Sequence, residues 1–483
     1  MNKELKRVSI VVLLMFIALF VSTSVLQVGV SDQLNADGRN TRTLNEGYNT
    51  QRGAILVDGQ PIAQSVPSTD NYKYQRTYSN GPLYSAVTGF FPISGQPTGI
   101  EGALNSELSG TSNANFFDRI NDFVTGKSPQ GDSVELTIDP KAQQAAYDAL
   151  GNYRGAVVVL QPKTGKILAM VSKPDFDPNT LAVHNVSQAN STYDTLLKAT
   201  GDPLINKAIN DLNPPGSTFK PIVSSAAFGS GKYTKDSTFP DLSSLTLPGT
   251  SFDVHNDSGG TCAGGGSVSI ATAQINSCNI PFAELGMQLG SNAIKNQAQA
   301  YGFGHSFDIP MPVTASDYPG YTDPAEIAQS AFGQQSDKAT ALQMAMVSAA
   351  ISTGGTVMEP NLVDSIKSSD LTTIEQFTPK VYGHATSPEV ASTVAQMMVD
   401  GVNEGVASNA RIDGVSVGGK TGTAQNGTNE PYTLWFTGFA PAKDPQYAVA
   451  VVVENGGGLG QSGSGPSVAA PVAKKVLEAV LNK

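Results

Sequence analysis

The stretch N213-P-P-G-S-T-F-K-P-I-V-S-S-A-A-F228 decides how this chain is read. Pro214-Pro215-Gly216 interrupts whatever precedes it, and an apolar helix is expected to start at about Ser217. Residues three apart on a helix share a face, so Ser217 and Lys220 are predicted neighbours, hydroxyl beside ammonium. A serine hydroxyl is a weak nucleophile until a base takes its proton. A lysine can be that base when burial and nearby positive charge depress its pKa. The partial positive charge of the helix N-terminus favours both a neutral Lys220 and a developing oxyanion. Pro221 is tolerated because first-turn N–H groups have no intrahelical partner.

Ser-x-x-Lys alone is a weak signal, but two further elements follow in order: Ser277-Cys278-Asn279 and Lys420-Thr421-Gly422-Thr423. This ordered set is the three-part signature of serine acyl-transfer enzymes that handle β-lactams. Ser217, Lys220, Ser277 and Asn279 form the expected catalytic set. Ser277 can relay a proton from Lys220 to the leaving or attacking amine, and Asn279 can hold a substrate backbone amide. Lys420 supplies fixed positive charge for a substrate carboxylate, with Thr421, Gly422 and Thr423 completing the binding strand. Gly422, lacking a side chain, is expected to let a peptide lie along that strand as an added edge. The N–H groups of Ser217 and Thr423 are the expected oxyanion hole. Lys163-Thr164-Gly165 repeats the last motif but precedes the serine and reads as a turn. Glu478-x-x-Leu481-Asn482 resembles a deacylating-glutamate motif, yet it lies in the final helix and reads as solvated.

Composition removes several function classes. Thirty Lys+Arg against 41 Asp+Glu give a net charge of −11, so there is no basic patch for nucleic acid. Two cysteines without a Cys-x-x-Cys pair and four scattered histidines offer no metal site, and no cofactor is expected. No Gly-x-Ser-x-Gly is present, which argues against a Ser-His-Asp hydrolase. Val124-Thr-Gly-Lys-Ser128 is only a fragment of a P-loop. With 40% hydrophobic residues the chain can bury a substantial core.

The N-terminus sets the compartment. Lys3, Lys6 and Arg7 precede an apolar stretch from about Val8 to Val28, and the first charge after it is Asp32. Such a segment spans about 30 Å as a helix, one hydrocarbon core. Positive charge before it puts residues 1–7 in the cytoplasm and the remainder outside. No Ala-x-Ala-like cleavage site follows, so a retained single-pass anchor in the cell membrane is preferred to a signal peptide. An oxidising exterior permits a Cys262–Cys278 disulfide; two free, partly buried thiols are the alternative.

Residues 29–133 are polar and weakly periodic, and read as a small, mostly β pedestal. From 134 to 483 the pattern is that of one α/β domain. PKAQQAAYDAL is a predicted helix, GAVVVL-QPKTG-KILAMV a hairpin and TALQMAMVSAAIS a helix. TLWFTGFAPA and QYAVAVVVENGG are strands, and APVAKKVLEAVLN is a closing helix. Strands at both ends with helices between imply a sheet joining the two ends of the domain.

These features together resemble the class B penicillin-binding proteins, and among them the actinobacterial penicillin-binding protein A type. The resemblance rests on Arg52-Gly53-x-Ile55, Gly99-Ile100-Glu101-Gly102, the GAVVVLQPKTGKILAMVS hairpin with KPDFDPN, FGQQSDKATALQMAMVSAAISTGGTVMEP, and VGGKTGTAQ followed by WFTGFAP. It covers almost the whole chain. LVDGQPIA is a shortened form of the usual segment, and Cys278 is uncommon between Ser277 and Asn279.

The resemblance implies a transpeptidase/β-lactamase-like α+β fold with an antiparallel sheet and a helical subdomain. It also implies a D,D-transpeptidase that cross-links peptidoglycan stem peptides through a Ser217 acyl-enzyme during growth or division, and that is acylated by β-lactams. The implied partners are stem peptides ending in D-Ala-D-Ala, the cytoplasmic membrane and a glycan polymerase of the FtsW/RodA type. A D,D-carboxypeptidase is the nearest enzymatic alternative. A β-lactam sensor or inactive scaffold is the non-enzymatic one, although a sensor would need more spans and a scaffold would usually have lost Ser217, Lys220 or Lys420.

Overall fold

The computed structural model describes residues 3–30, 34, 48–112, 130–257 and 259–482. The Val124–Ser128 fragment lies outside them. Helix α1 (Lys3–Ser24) opens the chain. Its apolar stretch, Leu5–Gln27, is 23 residues long with mean hydropathy 2.6, and no part of it is buried against the rest of the protein. That length and exposure fit a bilayer core.

Two large sheets organise the rest, beside three two-stranded ones among the described residues. The first has β1 (Ile55–Val57), β2 (Gln60–Pro67), β3 (Tyr74–Tyr78) and β4 (Ser133–Leu136). Asp58 and Gly59 both have positive φ and form the tight turn between β1 and β2. β4 runs parallel to β1. Two strands from far downstream, β7 (Val363–Lys367) and β8 (Thr373–Gln376), extend this sheet to the order β8-β7-β4-β1-β2-β3. The pedestal sheet therefore does not end at residue 133. Inside it, Glu101 is completely buried and bonds Arg52 Nε and Arg76 Nε, each at 2.6 Å, while Tyr78 Oη donates to Glu101 Oε1 at 3.1 Å.

The second sheet contains β5 (Gly155–Leu160), β6 (Ile167–Lys173), β9 (Gly418–Ala424), β10 (Thr433–Ala440) and β11 (Tyr447–Val453). Its order is β9-β10-β11-β5-β6, antiparallel throughout. The runs GAVVVL and YAVAVVV are nearly unbroken apolar because both faces are covered. Val157, Val159, Val449 and Val451 pack with α2 (Pro140–Leu150) and α6 (Ala470–Val480). Ala156, Val158, Ala448, Ala450 and Val452 face the opposite core with α5 (Ala341–Ser352). α5 is apolar all round and buried along almost its whole length, as such a helix must be. Lys163-Thr164-Gly165 forms the β5–β6 turn, with Gly165 at φ +76°. Glu478 sits on α6, 3.7 Å from Lys474 one turn earlier. Both copies of motif-like sequence thus lie away from the catalytic elements.

Candidate active site

The nucleophile turn is set by three close approaches. Gly216 has φ +53°, and its N–H donates to Gly333 O at 2.9 Å. A Cβ on Gly333 would lie 2.1 Å from Gly216 O, so glycine is needed there too. Trp435, fully buried, donates Nε1–H to Pro214 O at 2.9 Å, so this core residue also fastens the turn from β10. Gly216–Phe219 then makes one 3-10 turn, and α-helical geometry begins only at α3 (Lys220–Gly229). The sequence reading started the helix at Ser217. Pro221 cannot donate back to the carbonyl of Ser217, which favours the tighter first turn. In 3-10 geometry residues i and i+3 eclipse, which keeps Lys220 behind Ser217.

Ser277 occupies the C-terminal turn of the helix Ile270–Ile275. Cys278 N donates to Ala273 O at 2.8 Å and Ser277 N to Gln274 O at 3.2 Å, a Schellman closure. Its left-handed position normally takes glycine; here it holds Ser277 at φ +60°, at a cost of roughly 1 kcal/mol. That conformation aims both polar groups of Ser277 inward. Its carbonyl accepts from Lys220 Nζ at 2.7 Å, and its hydroxyl accepts from Lys420 Nζ at 2.7 Å.

Cys278 is bonded to Cys262, with Cα atoms 5.8 Å apart. The Cys262 loop is itself tied down, because Asp241 accepts from the N–H groups of Cys262, Ala263 and Gly265 at 2.6, 2.8 and 2.8 Å. Asn279 then opens α4 (Ile280–Leu289). Its N–H and that of Ile280 donate to the buried Asn256 Oδ1 at 2.9 and 3.1 Å. Its side-chain Oδ1 accepts from Lys220 Nζ at 2.8 Å, and its Nδ2 donates to His255 O and Asp257 Oδ1, each at 3.1 Å.

Both lysines are buried. Burial first, and the charge of Lys420 second, hold Lys220 well below the ordinary lysine range, with Asp257 pulling the other way. Burial brings Lys420 down to about 7, again opposed by Asp257. Lys420 Nζ stands behind Ser277, bonded to its hydroxyl, and Lys420 is not among the residues that line the cleft. The cleft, about 650 Å³, is lined by Ser217, Ser277, Asn279, Thr421, Gly422 and Thr423, with Asp257 on the rim. β9 is the sheet's edge strand.

Gly422 has a reason besides the one expected. A Cβ there would lie 2.9 Å from Pro215 O and 3.2 Å from Thr218 N. The space it leaves is filled by the nucleophile turn. Asn256, Asp257 and Asp241 escaped the sequence reading, since nothing in their spacing ties them to a motif; the polar run His255-Asn256-Asp257 was the only available signal.

Residues 155–478 match the family described as the penicillin binding protein transpeptidase domain. The chain belongs to that family. Residues 52–134 match the penicillin binding protein A dimerisation domain. The chain is 39% identical to the peptidoglycan D,D-transpeptidase PbpA of Mycolicibacterium smegmatis, covering 100% of both chains. It is 37% identical to the protein of the same name from Mycobacterium tuberculosis, covering 100% of this chain and 99% of that one. Its fold is similar to that of penicillin-binding protein A from M. tuberculosis solved as a ceftriaxone acyl-enzyme complex. The TM-score is 0.87 at 37% identity, over 91% of this chain and 100% of the other.

Proposed function

We propose that the chain is a membrane-anchored peptidoglycan D,D-transpeptidase whose nucleophile is Ser217. One observation carries the mechanism. Lys220 Nζ gives two hydrogen bonds to acceptors, Ser277 O and Asn279 Oδ1. A neutral amine has two N–H groups and one lone pair. With both N–H groups spent, the remaining position on Lys220 is the lone pair, available to the Ser217 hydroxyl on the same turn. Burial and the neighbouring charge of Lys420, which lower the pKa of Lys220, favour that neutral form.

Ser217 Oγ attacks the carbonyl of the penultimate D-Ala and its proton passes to Lys220. The oxyanion is held by the N–H groups of Ser217 and Thr423. The departing D-Ala nitrogen takes a proton by way of Ser277, leaving the acyl ester on Ser217. An amine from a second stem peptide then resolves the ester. The terminal carboxylate of the donor lies against Thr421 and Thr423, in the field of Lys420 behind them. β-Lactams acylate the same serine.

Residues 1–7 lie in the cytoplasm, on the argument that Lys3, Lys6 and Arg7 precede the apolar helix. Residues 29–133 serve as a pedestal that sets the height of the cleft, and 134–483 as the transpeptidase domain. A glycan polymerase of the FtsW/RodA type is the partner that the family likeness suggests for anchor and pedestal. Recovery of no such polymerase in a pull-down with the full chain would count against it.

The enzymatic reading is tested with a D-Ala-D-Ala thioester analogue, with and without an amine acceptor. Aminolysis product is expected; hydrolysis alone under all conditions would make the protein a carboxypeptidase. Ser217→Ala should stay folded and lose labelling by fluorescent penicillin.

A further inference from the structure

We propose that Asp257 docks the amine that resolves the acyl-enzyme, and that the donor peptide frees it to do so. The inference rests on the transpeptidase reading and deepens it.

The amide of Asn279 is fully committed. Its Oδ1 accepts from Lys220, and its Nδ2 gives one N–H to His255 O and the other to Asp257 Oδ1. A donor peptide carbonyl that takes a hydrogen bond from Nδ2 must displace one of those acceptors. His255 O belongs to a strand, Asp253–His255, held against Ser244–Thr246. Asp257 is exposed and lies beyond the end of that strand, two positions before Gly259, which has φ +73°. Asp257 is the partner that can yield.

Once displaced, its carboxylate faces the cleft with no other hydrogen-bond partner among the described residues. The neighbouring titratable groups on that rim are engaged: Asp253 accepts from Thr246 Oγ1 at 2.6 Å, and His255 Nδ1 lies 3.2 Å from Ser243 O. Among the described residues, the second oxygen of Asp257 has no partner. An aliphatic amine reaches the enzyme mostly as an ammonium ion, since its pKa lies near that of lysine, about 10.4. A carboxylate on the Asn279 side of the acyl ester is the complementary charge. The order of events follows: donor first, acceptor second.

The docked ammonium releases one proton to solvent. Its nitrogen then forms a bond to the acyl carbonyl carbon, and the surplus nitrogen proton goes to Lys220. The carbonyl carbon–Oγ bond breaks, and Lys220 returns the proton to Ser217 Oγ. The sum is ester plus ammonium giving amide, free serine and one proton.

The test measures how the acyl-enzyme from a thioester donor partitions between water and two nucleophiles. One is Nα-acetyl-lysinamide, whose single amine is cationic; the other is hydroxylamine, which is neutral near pH 7.5. Partition is internal to each acyl-enzyme, so changes in acylation rate cancel. Asp257→Asn is expected to lose roughly fivefold in partition to Nα-acetyl-lysinamide, in the range of a partly solvated charge pair. Hydroxylamine partition should hold within about twofold, and Asp257→Glu should restore the lysinamide value. Equal loss for both nucleophiles, or no loss for either, would overturn the assignment. A wild-type enzyme that forms no acyl ester would sink the transpeptidase reading and this inference with it, and acylation is scored separately, before any acceptor is added.

Discussion

Lys420 Nζ donates to the hydroxyl of Ser277 at 2.7 Å, while the carbonyl of the same serine takes Lys220. One residue therefore stands between two buried lysines, and the charge on one depresses the pKa of the other.

Removing that charge should be visible in pH profiles. Lys220 must be neutral to accept the Ser217 proton, and after burial Lys420 is the next cause of its low pKa. In Lys420→Gln the pKa of Lys220 rises, so the acid limb of β-lactam acylation moves to higher pH. Second-order acylation rates across pH 5–9 check this; an unmoved limb would show that Lys220 does not feel the neighbouring charge. In the wild type, loss of charge on Lys420 at about 7 should put an alkaline limb on acylation by carboxylate-bearing β-lactams. Esterifying that carboxylate should weaken it.

Gly422→Ala should disturb the serine more than the strand. The new methyl would meet Pro215 O at 2.9 Å and Thr218 N at 3.2 Å. Overpacking costs about 1–3 kcal/mol, and misplacement of a nucleophile by ~1 Å can cost ~10²-fold in rate. Fluorescent-penicillin labelling should slow by about that factor while far-UV circular dichroism is unchanged.

The double variant Cys262→Ser/Cys278→Ser frees the turn that holds Ser277 at φ +60°. Closure of a loop of about 15 residues contributes ~3 kcal/mol in the chain-entropy model, so the melting temperature should fall. Acylation, measured well below that temperature, should also fall, by roughly 10- to 100-fold. A normal rate in the reduced protein would mean that the Schellman closure alone positions Ser277.

Glu101→Gln should weaken the pedestal. Burial alone would raise the Glu101 carboxyl, but Arg76 and Arg52 outweigh it and hold it below the usual carboxylate value. Stability from this depressed pKa is present above the unfolded value, about 4.3, and is lost as pH falls through the folded one. Removing the carboxylate leaves two buried arginines uncompensated, at a cost of about 3–5 kcal/mol. Denaturant unfolding at pH 7 should show that loss, and the gap to wild type should narrow in acid.

The candidate catalytic residues stand out in the sequence because the chemistry proposed for them fixes residue types at short local spacings. Ser217 with Lys220, and Ser277 with Asn279, carry their own geometry within one turn each. The central hairpin and the closing strands were legible because continuous β-branched runs suit a sheet covered on both faces. What escaped depends on contacts distant in sequence. Asn256 and Asp257 reach Asn279 from a separate hairpin, and β7 and β8 join the pedestal sheet from more than 200 residues downstream of β4. The crowding of Gly422 by Pro215 and Thr218 was not legible, since a strand reading cannot tell which face a nearby turn will occupy.

The strand order also bears on how the enzyme comes into being. β5 lies between β6 and β11, so one long side of the β5–β6 hairpin stays unpaired until residues 447–453 have been synthesised. Until then the growing chain carries an apolar β edge of the kind that invites misassociation, and no fragment ending before β11 can complete the sheet under Ser217. Acyl transfer is thereby withheld until β11 has been made, and a product truncated before it would carry Ser217 without the sheet that supports it.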